Sequence, residues 1–166
     1  MSKKLIWTIV VVVAVIAIAV VAVVFLKPKT EANVEGTLEE IMAKVYAEIP
    51  AENLPMLGQM PVDSESVEYY LGTKDVSFKE ALVSEPMIGS IPHSVVLVRL
   101  NDAKDADNAV TKIKESANPR KWICVEATNV VVKSKGDLVI LIMSDTEVTP
   151  TEQHLAPKLE ANFNNL

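Results

Sequence analysis

Residues 94–100, SVVLVRL, form the apolar stretch that decides the fold. A nearly continuous run of aliphatic residues of this length is typical of a strand at the centre of a sheet. Residues 78–84, upstream of it, also have strand character. Downstream, residues 129–133 and 138–143 are predicted to form a hairpin around Gly136, because glycine readily takes the positive φ of a tight turn. The sequence therefore predicts four strands in two sequential pairs.

Helices are predicted between and around these strands. Thr37 and Glu40 form a capping box, which predicts that an amphipathic helix begins there. Asp102 caps a helix after the central strand, and two more are predicted at 64–71 and from residue 149 onward. Strands in sequential pairs favour an α+β domain. We expect a mainly antiparallel four-stranded sheet with helices on one face.

The N-terminal part of the chain contains a second apolar run, residues 5–26, without a charged residue or proline. As a helix, its 22 residues span roughly 33 Å, enough to cross a bilayer core. The run is longer than the apolar region of a secretory signal. The sequence thus predicts an uncleaved N-terminal transmembrane helix at 5–26, a tail at 1–4, a tether at 27–36 and a domain at 37–166.

The orientation of this anchor depends on a near-tie in flanking positive charge. Lys3, Lys4 and the terminal amine precede the run, and Lys27 and Lys29 follow it. The positive-inside rule slightly favours an inside N-terminus. We therefore expect a single-pass protein of the cell membrane with a cytoplasmic tail and an extracytoplasmic domain, and the reverse orientation is the alternative.

The charge of the domain limits the partners it can bind. Residues 27–166 contain 14 basic and all 22 acidic residues, a formal net charge of −8. Non-specific binding to nucleic acid requires clustered Lys and Arg, so no nucleic-acid partner is expected. The membrane is the expected partner of the apolar run, and a protein of the cell envelope is a possible partner of the domain.

Residues suited to metal binding or catalysis are few and scattered. His93, Cys124 and His154 are about 30 residues apart and share no metal-binding motif, so neither a metal nor a cofactor is expected. Cys124 lies in an apolar run, where a buried cysteine that acts as a small hydrophobic residue is expected. We identify no catalytic residues. The enzyme alternative is a membrane-tethered hydrolase or thiol enzyme that uses His93 and Cys124.

Two segments have a composition that does not fit their expected loop position. Residues 85–93, EPMIGSIPH, place apolar side chains in a loop, and residues 118–122, NPRKW, join two basic residues to a tryptophan. Arg and Trp are enriched in interaction hot spots. Both segments either pack against the core, which is the usual role of such residues, or form a contact surface for a partner. The candidate interaction surface consists of Pro86, Met87, Ile88, Ile91, His93, Arg120, Lys121 and Trp122.

The same region carries a resemblance to a known family. EALVSEPMIGSIPHSVVLVRL, then a helix, NPRKWICVEA and a hairpin that ends in LVILIMS resemble an uncharacterised bacterial family of exported lipoproteins or membrane-anchored proteins, mostly Gram-positive. The resemblance covers roughly residues 76–145 and implies a small extracytoplasmic α+β domain. It implies no catalytic residues, and this chain lacks the N-terminal cysteine of the lipoprotein members.

Together these observations favour a non-enzymatic binding or interaction module of the cell envelope, fixed to the membrane. A small-molecule sensor is a further alternative and would require an apolar pocket beside the sheet.

Overall fold

The computed structural model describes residues 32–88, 91–145 and 155–166 of the 166-residue chain. These residues belong to one compact unit, Glu31–Leu166. The strands are β1 (Leu57–Pro61), β2 (Phe78–Pro86), β3 (His93–Leu100), β4 (Asn129–Lys135) and β5 (Leu138–Ser144). They form one sheet in the order β1-β2-β3-β5-β4, and every neighbouring pair is antiparallel.

The expected four-stranded sheet is wrong, because the described sheet has five strands. The additional strand is β1, in a segment whose prolines and glycine indicate an irregular connection. Proline is tolerated at the edge of a sheet, where an N–H that points outward is not needed for pairing. The short β1 lies at that edge and pairs only with β2 among the described strands.

Four α-helices flank the sheet within the described residues: α1 (Leu38–Val45), α2 (Val67–Leu71), α3 (Ala106–Ser116) and α4 (Leu155–Asn164). Residues of α2 and α3 share one hydrophobic core with one face of the sheet, which we call face A. Residues of α1 and α4 share a second core with the opposite face, face B. The expectation that helices cover only one face is therefore wrong. All residues of β3 and β5 are buried because both faces are covered.

The local signals for helix and turn boundaries are largely confirmed. The capping box of Thr37 and Glu40 is present at the start of α1. Gly72 ends α2 with a φ of 78°, and Gly136 turns the β4–β5 hairpin with a φ of 56°. The Asp102 side chain caps a short 3₁₀ turn that leads into α3. Residues 149–154, where the last helix was expected to begin, lie outside the described residues.

The apolar run 5–26, and with it the expected transmembrane helix, also lies outside the described residues. Within residues 32–88, 91–145 and 155–166, none of the helices has the length and apolar character needed to cross a bilayer.

The residues just before α1 are fixed to the domain by a buried arginine. Arg99 donates hydrogen bonds to the backbone oxygens of Val34 and Gly36, at 2.8 and 2.7 Å. It also forms ion pairs with Glu80 at 2.8 Å and Asp137 at 3.3 Å. The end of the predicted tether is thus held against β3 on face B.

Candidate functional site

The two segments that the sequence singles out meet at one end of face A. β2 ends at Pro86, and the loop that follows carries Ile88 and Ile91. The chain after α3 brings Lys121 and Trp122 to the same place. Together they border an open concave surface of about 370 Å³. We refer to this surface as the groove. Its lining residues are Tyr69, Glu85, Pro86, Ile88, Ile91, Lys121, Trp122 and Ile123.

Lys121 is the charged residue at the centre of this site. Its side chain is only 2% exposed, and it forms an ion pair with Glu85. Its ammonium group also donates to the Ser94 hydroxyl at 3.0 Å. Burial lowers the pKa of Lys121, and the carboxylate of Glu85 opposes that effect. The pair therefore places no uncompensated charge in the groove.

Three aromatic rings surround the same ammonium group. Lys121 Nζ lies 5.0 Å from the ring centroid of Tyr69, 4.8 Å from that of Tyr70 and 5.1 Å from that of Trp122. These distances fall within the range of cation–π attraction. Tyr69 and Tyr70 meet edge to face, with centroids 5.0 Å apart. The rings, the carboxylate and the hydroxyl fix Lys121 in place, so the segment that carries Trp122 is held against face A.

The rim of the groove is apolar and open to solvent. Ile123 is 85% exposed and Ile88 is 69% exposed. Tyr69 is half exposed, although its neighbour Tyr70 packs against the core. Contiguous exposed apolar side chains beside a concave surface are typical of interaction sites, whereas single exposed hydrophobic residues are common everywhere.

Two of the predicted residues lie at the margin of this surface. Arg120 is largely exposed and forms an ion pair with Glu126 at 3.1 Å. Met87 is exposed beside β1, where its backbone N–H donates to the Met56 oxygen at 2.9 Å. Neither residue lines the groove.

His93 is not on the exposed surface, because it is buried on face B at the start of β3. Its Nε2 lies 2.8 Å from the hydroxyl oxygen of Tyr46, which follows α1. Burial lowers the pKa of His93 to about 4. The Tyr46 pKa is raised, chiefly by burial. Both groups are therefore uncharged at neutral pH.

The expectation that Cys124 is buried is wrong, since this residue is exposed next to Ile123. Its segment is joined to face A through Lys121 and Trp122, whereas His93 is buried on face B. The sheet thus separates the two residues of the proposed thiol enzyme. The geometry does not favour a thiol–imidazole pair. Among the described residues, no group of three His, Cys, Asp or Glu side chains is arranged to hold a metal ion.

The tyrosine pair is the part of the site that the sequence does not reveal. Tyr69 and Tyr70 lie within the five-residue helix α2, which ends at Leu71 before Gly72, and their spacing gives no interaction signal. Ser94 is likewise hidden in the central strand, where alternation places it on face A next to Val96. The single cue is two adjacent aromatic residues in a helix too short to bury both.

Comparisons with known proteins gave no match: no protein-family model, no curated protein and no solved structure matches this chain. The resemblance to the uncharacterised bacterial family remains a hypothesis.

Proposed function

We propose that the domain is a non-enzymatic interaction module and that the groove on face A is its docking site for a protein partner. The observation that carries the proposal is the meeting of the 85–93 and 118–122 segments at one groove. The exposed Ile88 and Ile123 form its rim. Both segments place residues typical of interaction surfaces at positions between regular elements.

The chemistry of the groove indicates what kind of partner segment it would accept. Glu85 neutralises Lys121, so neither charge is free to attract a charged group. The remaining lining consists of aliphatic side chains, proline and aromatic rings. We expect the partner to insert a bulky apolar side chain, as in other interfaces where an apolar anchor fills a pocket.

The same features argue for binding over catalysis. Lys121 Nζ is occupied by Glu85, Ser94 and three rings, so it is poorly placed to act as a nucleophile. An activated nucleophile requires an adjacent base and access to substrate. The exposed thiol of Cys124 has no histidine on its own face of the sheet to activate it within the described residues.

The proposed place of action is the cell envelope. The apolar run 5–26 would fix the chain to the membrane, with the domain outside. Protease added to intact cells or spheroplasts should then degrade the domain. Protection of the domain until the membrane is lysed would contradict this orientation.

Docking at the groove can be tested by site-specific photocrosslinking of the full chain in its native cells. A photoreactive residue at Ile88 or Ile123 should give the same crosslinked partner. The same probe at Glu39 or Lys114, exposed on α1 and α3, should give none. A partner captured equally from all four positions would contradict the proposal.

A second step separates docking from chance proximity. With the probe at Ile88, Ile123→Asp should abolish the crosslink because it places a charge on the apolar rim. Val130→Asp is the matched control, since Val130 is also an exposed apolar residue but lies on the opposite edge strand, β4. Equal crosslinking by the two variants would show that the groove is not the docking site.

A further inference from the structure

The outer edge of β1 has a symmetry that no other described strand shares. The segment around it reads Pro55-Met56-Leu57-Gly58-Gln59-Met60-Pro61. Read outward from Gly58, it has one large residue on each side, then methionine on both sides, then proline on both sides. An antiparallel pair of identical strands places such positions opposite each other.

The hydrogen bonds of β1 show which backbone groups its outer edge offers. Met87 N–H donates to the Met56 oxygen, and Val62 N–H donates to the Ala81 oxygen, both at 2.9 Å. The even-numbered residues of the segment therefore bond to β2. The N–H and C=O groups of Leu57 and Gln59 turn outward, away from β2. The prolines at 55 and 61 have no N–H to offer.

We infer that two copies of this chain associate by antiparallel pairing of their β1 edges about Gly58. In this register Leu57 of each copy lies opposite Gln59 of the other. The outward N–H groups of Leu57 and Gln59 in each copy then donate to backbone oxygens of the other copy. Pro55 of one copy lies opposite Pro61 of the other, and neither has an N–H that would be left without an acceptor. Four interchain hydrogen bonds join two five-stranded sheets into one continuous sheet.

The side chains on face A are compatible with this register. Met56 of one copy would lie opposite Met60 of the other, and both are exposed in the single chain. Glycine at the two-fold axis adds no side chain between the strands, and Met87 lies beside it: a Cβ added at Gly58 would be 3.3 Å from Met87 Cγ. Pairing would bury methionines, which adapt readily to a symmetric contact.

The other sheet edge is protected in a way that β1 is not. β4 carries Lys133 and Lys135, and lysines on an edge strand repel a second copy. β1 carries no charged residue, so this edge strand does not present like charges to a second copy. The flanking prolines limit the pairing to one short window, which places the dimer in the weak and transient class. This inference does not depend on the groove or on the proposed function.

Disulfide trapping of the full chain in membranes tests the register directly. In a Cys124→Ser background, Gly58→Cys should give a covalent dimer under mild oxidation. Directly opposite residues of a non-hydrogen-bonded pair have Cα atoms about 4.5 Å apart, within disulfide range. Gln59→Cys should crosslink at least about tenfold more slowly, because residue 59 faces residue 57 in this register and its own copy only diagonally.

Val130→Cys, on the β4 edge, is the control for random collisions and should crosslink as slowly as Gln59→Cys. Faster trapping at residue 59 than at residue 58 would overturn the Gly58 register. Equal rates at residues 58 and 130, or crosslinks from residue 58 only to other proteins, would overturn the self-association. As a non-covalent check, Gln59→Pro should reduce the dimer fraction, since it removes one outward N–H per copy and no bond to β2.

Discussion

The two faces of the sheet both bury polar groups near the same end, but the pair on face A is charged and the pair on face B is not. On face A, Lys121 and Glu85 form a paired charge beside exposed apolar side chains. On face B, His93 and Tyr46, the residue that follows α1, form an uncharged pair. Face B is covered by two helices of eight and ten residues, and face A by one helix of eleven residues and by α2, which has only five. The groove lies beside that short helix, lined in part by its Tyr69.

This difference separates a structural polar cluster from a candidate binding site. The side chains of face B have little solvent contact, so substitutions there should act on folding alone. On face A, burial of Lys121 serves folding, and the exposed Ile88 and Ile123 are free to serve binding. Stability and interaction should therefore respond to different residues of the same groove.

The largest expected effect comes from breaking the buried ion pair. Lys121→Met leaves the largely buried Glu85 carboxylate, whose side chain is 13% exposed, without its partner, which should lower the free energy of unfolding by about 3 kcal/mol. Adding Glu85→Gln should restore most of that loss, because the uncompensated charge is then gone. Chemical denaturation of the three chains measures these values.

Lys133→Met is the control for the loss of a lysine. Its ion pair with Glu160, at 3.2 Å, is half exposed on the lysine side, so its removal should cost at most about 1 kcal/mol. Equal losses of stability in the Lys121 and Lys133 variants would show that the Lys121–Glu85 ion pair contributes no more than an exposed one.

The next largest effect is a pH dependence of the free energy of unfolding, caused by His93 on face B. The His93 pKa is about 4 in the folded chain and about 6.5 when unfolded. Above pH 6.5 the residue is neutral in both states and adds no pH dependence. Between pH 6.5 and 4 only the unfolded state takes up the proton, so stability should fall by about 3 kcal/mol across that window.

His93→Gln should remove this part of the pH dependence while keeping a group that can bond to Tyr46. The measurement is the free energy of unfolding of both chains at several pH values between 4 and 7.5. Parallel curves for the two chains would show that His93 is not buried in its neutral form.

The smallest expected effect on stability is at the rim of the groove. Ile88→Ser and Ile123→Ser remove exposed side chains, so each should change the free energy of unfolding by no more than about 0.5 kcal/mol. Thermal or chemical denaturation checks this value. A loss above 2 kcal/mol in either variant would mean that the rim belongs to the core.

The sequence predicts the long elements well because their signals are local. Continuous apolar runs mark β3 and β5, and the capping box marks the start of α1. A strand that is covered on one face alternates between apolar and polar residues, whereas a strand covered on both faces is apolar throughout. The continuous runs of β3 and β5 therefore indicate helices on both faces, contrary to the prediction of a single covered face. β1 is missed because its prolines and glycine resemble a loop, and only the partner strand makes it a strand.

The candidate site is predictable only in part. Ile88, Ile91, Lys121 and Trp122 stand out by composition, and the structure brings them together. His93 belongs to the same sequence segment, but it is the first residue of β3 and not part of the loop. Because side chains alternate along a strand, His93 lies on face B together with Val95 and Leu97. Tyr69 and Tyr70 reach Lys121 from a distant helix, a contact that no local pattern encodes.

The most direct test of docking at the groove uses the chain's single cysteine, Cys124, which is exposed next to Ile123. The measurement is its rate of labelling by a small maleimide, in the purified folded chain and in opened native membranes. We expect fast labelling in the purified chain and at least about tenfold slower labelling in membranes, where a bound partner covers the rim. Ile88→Asp should restore the fast rate in membranes. Equal rates for the unaltered chain in both preparations would contradict the assignment of the groove as a docking site.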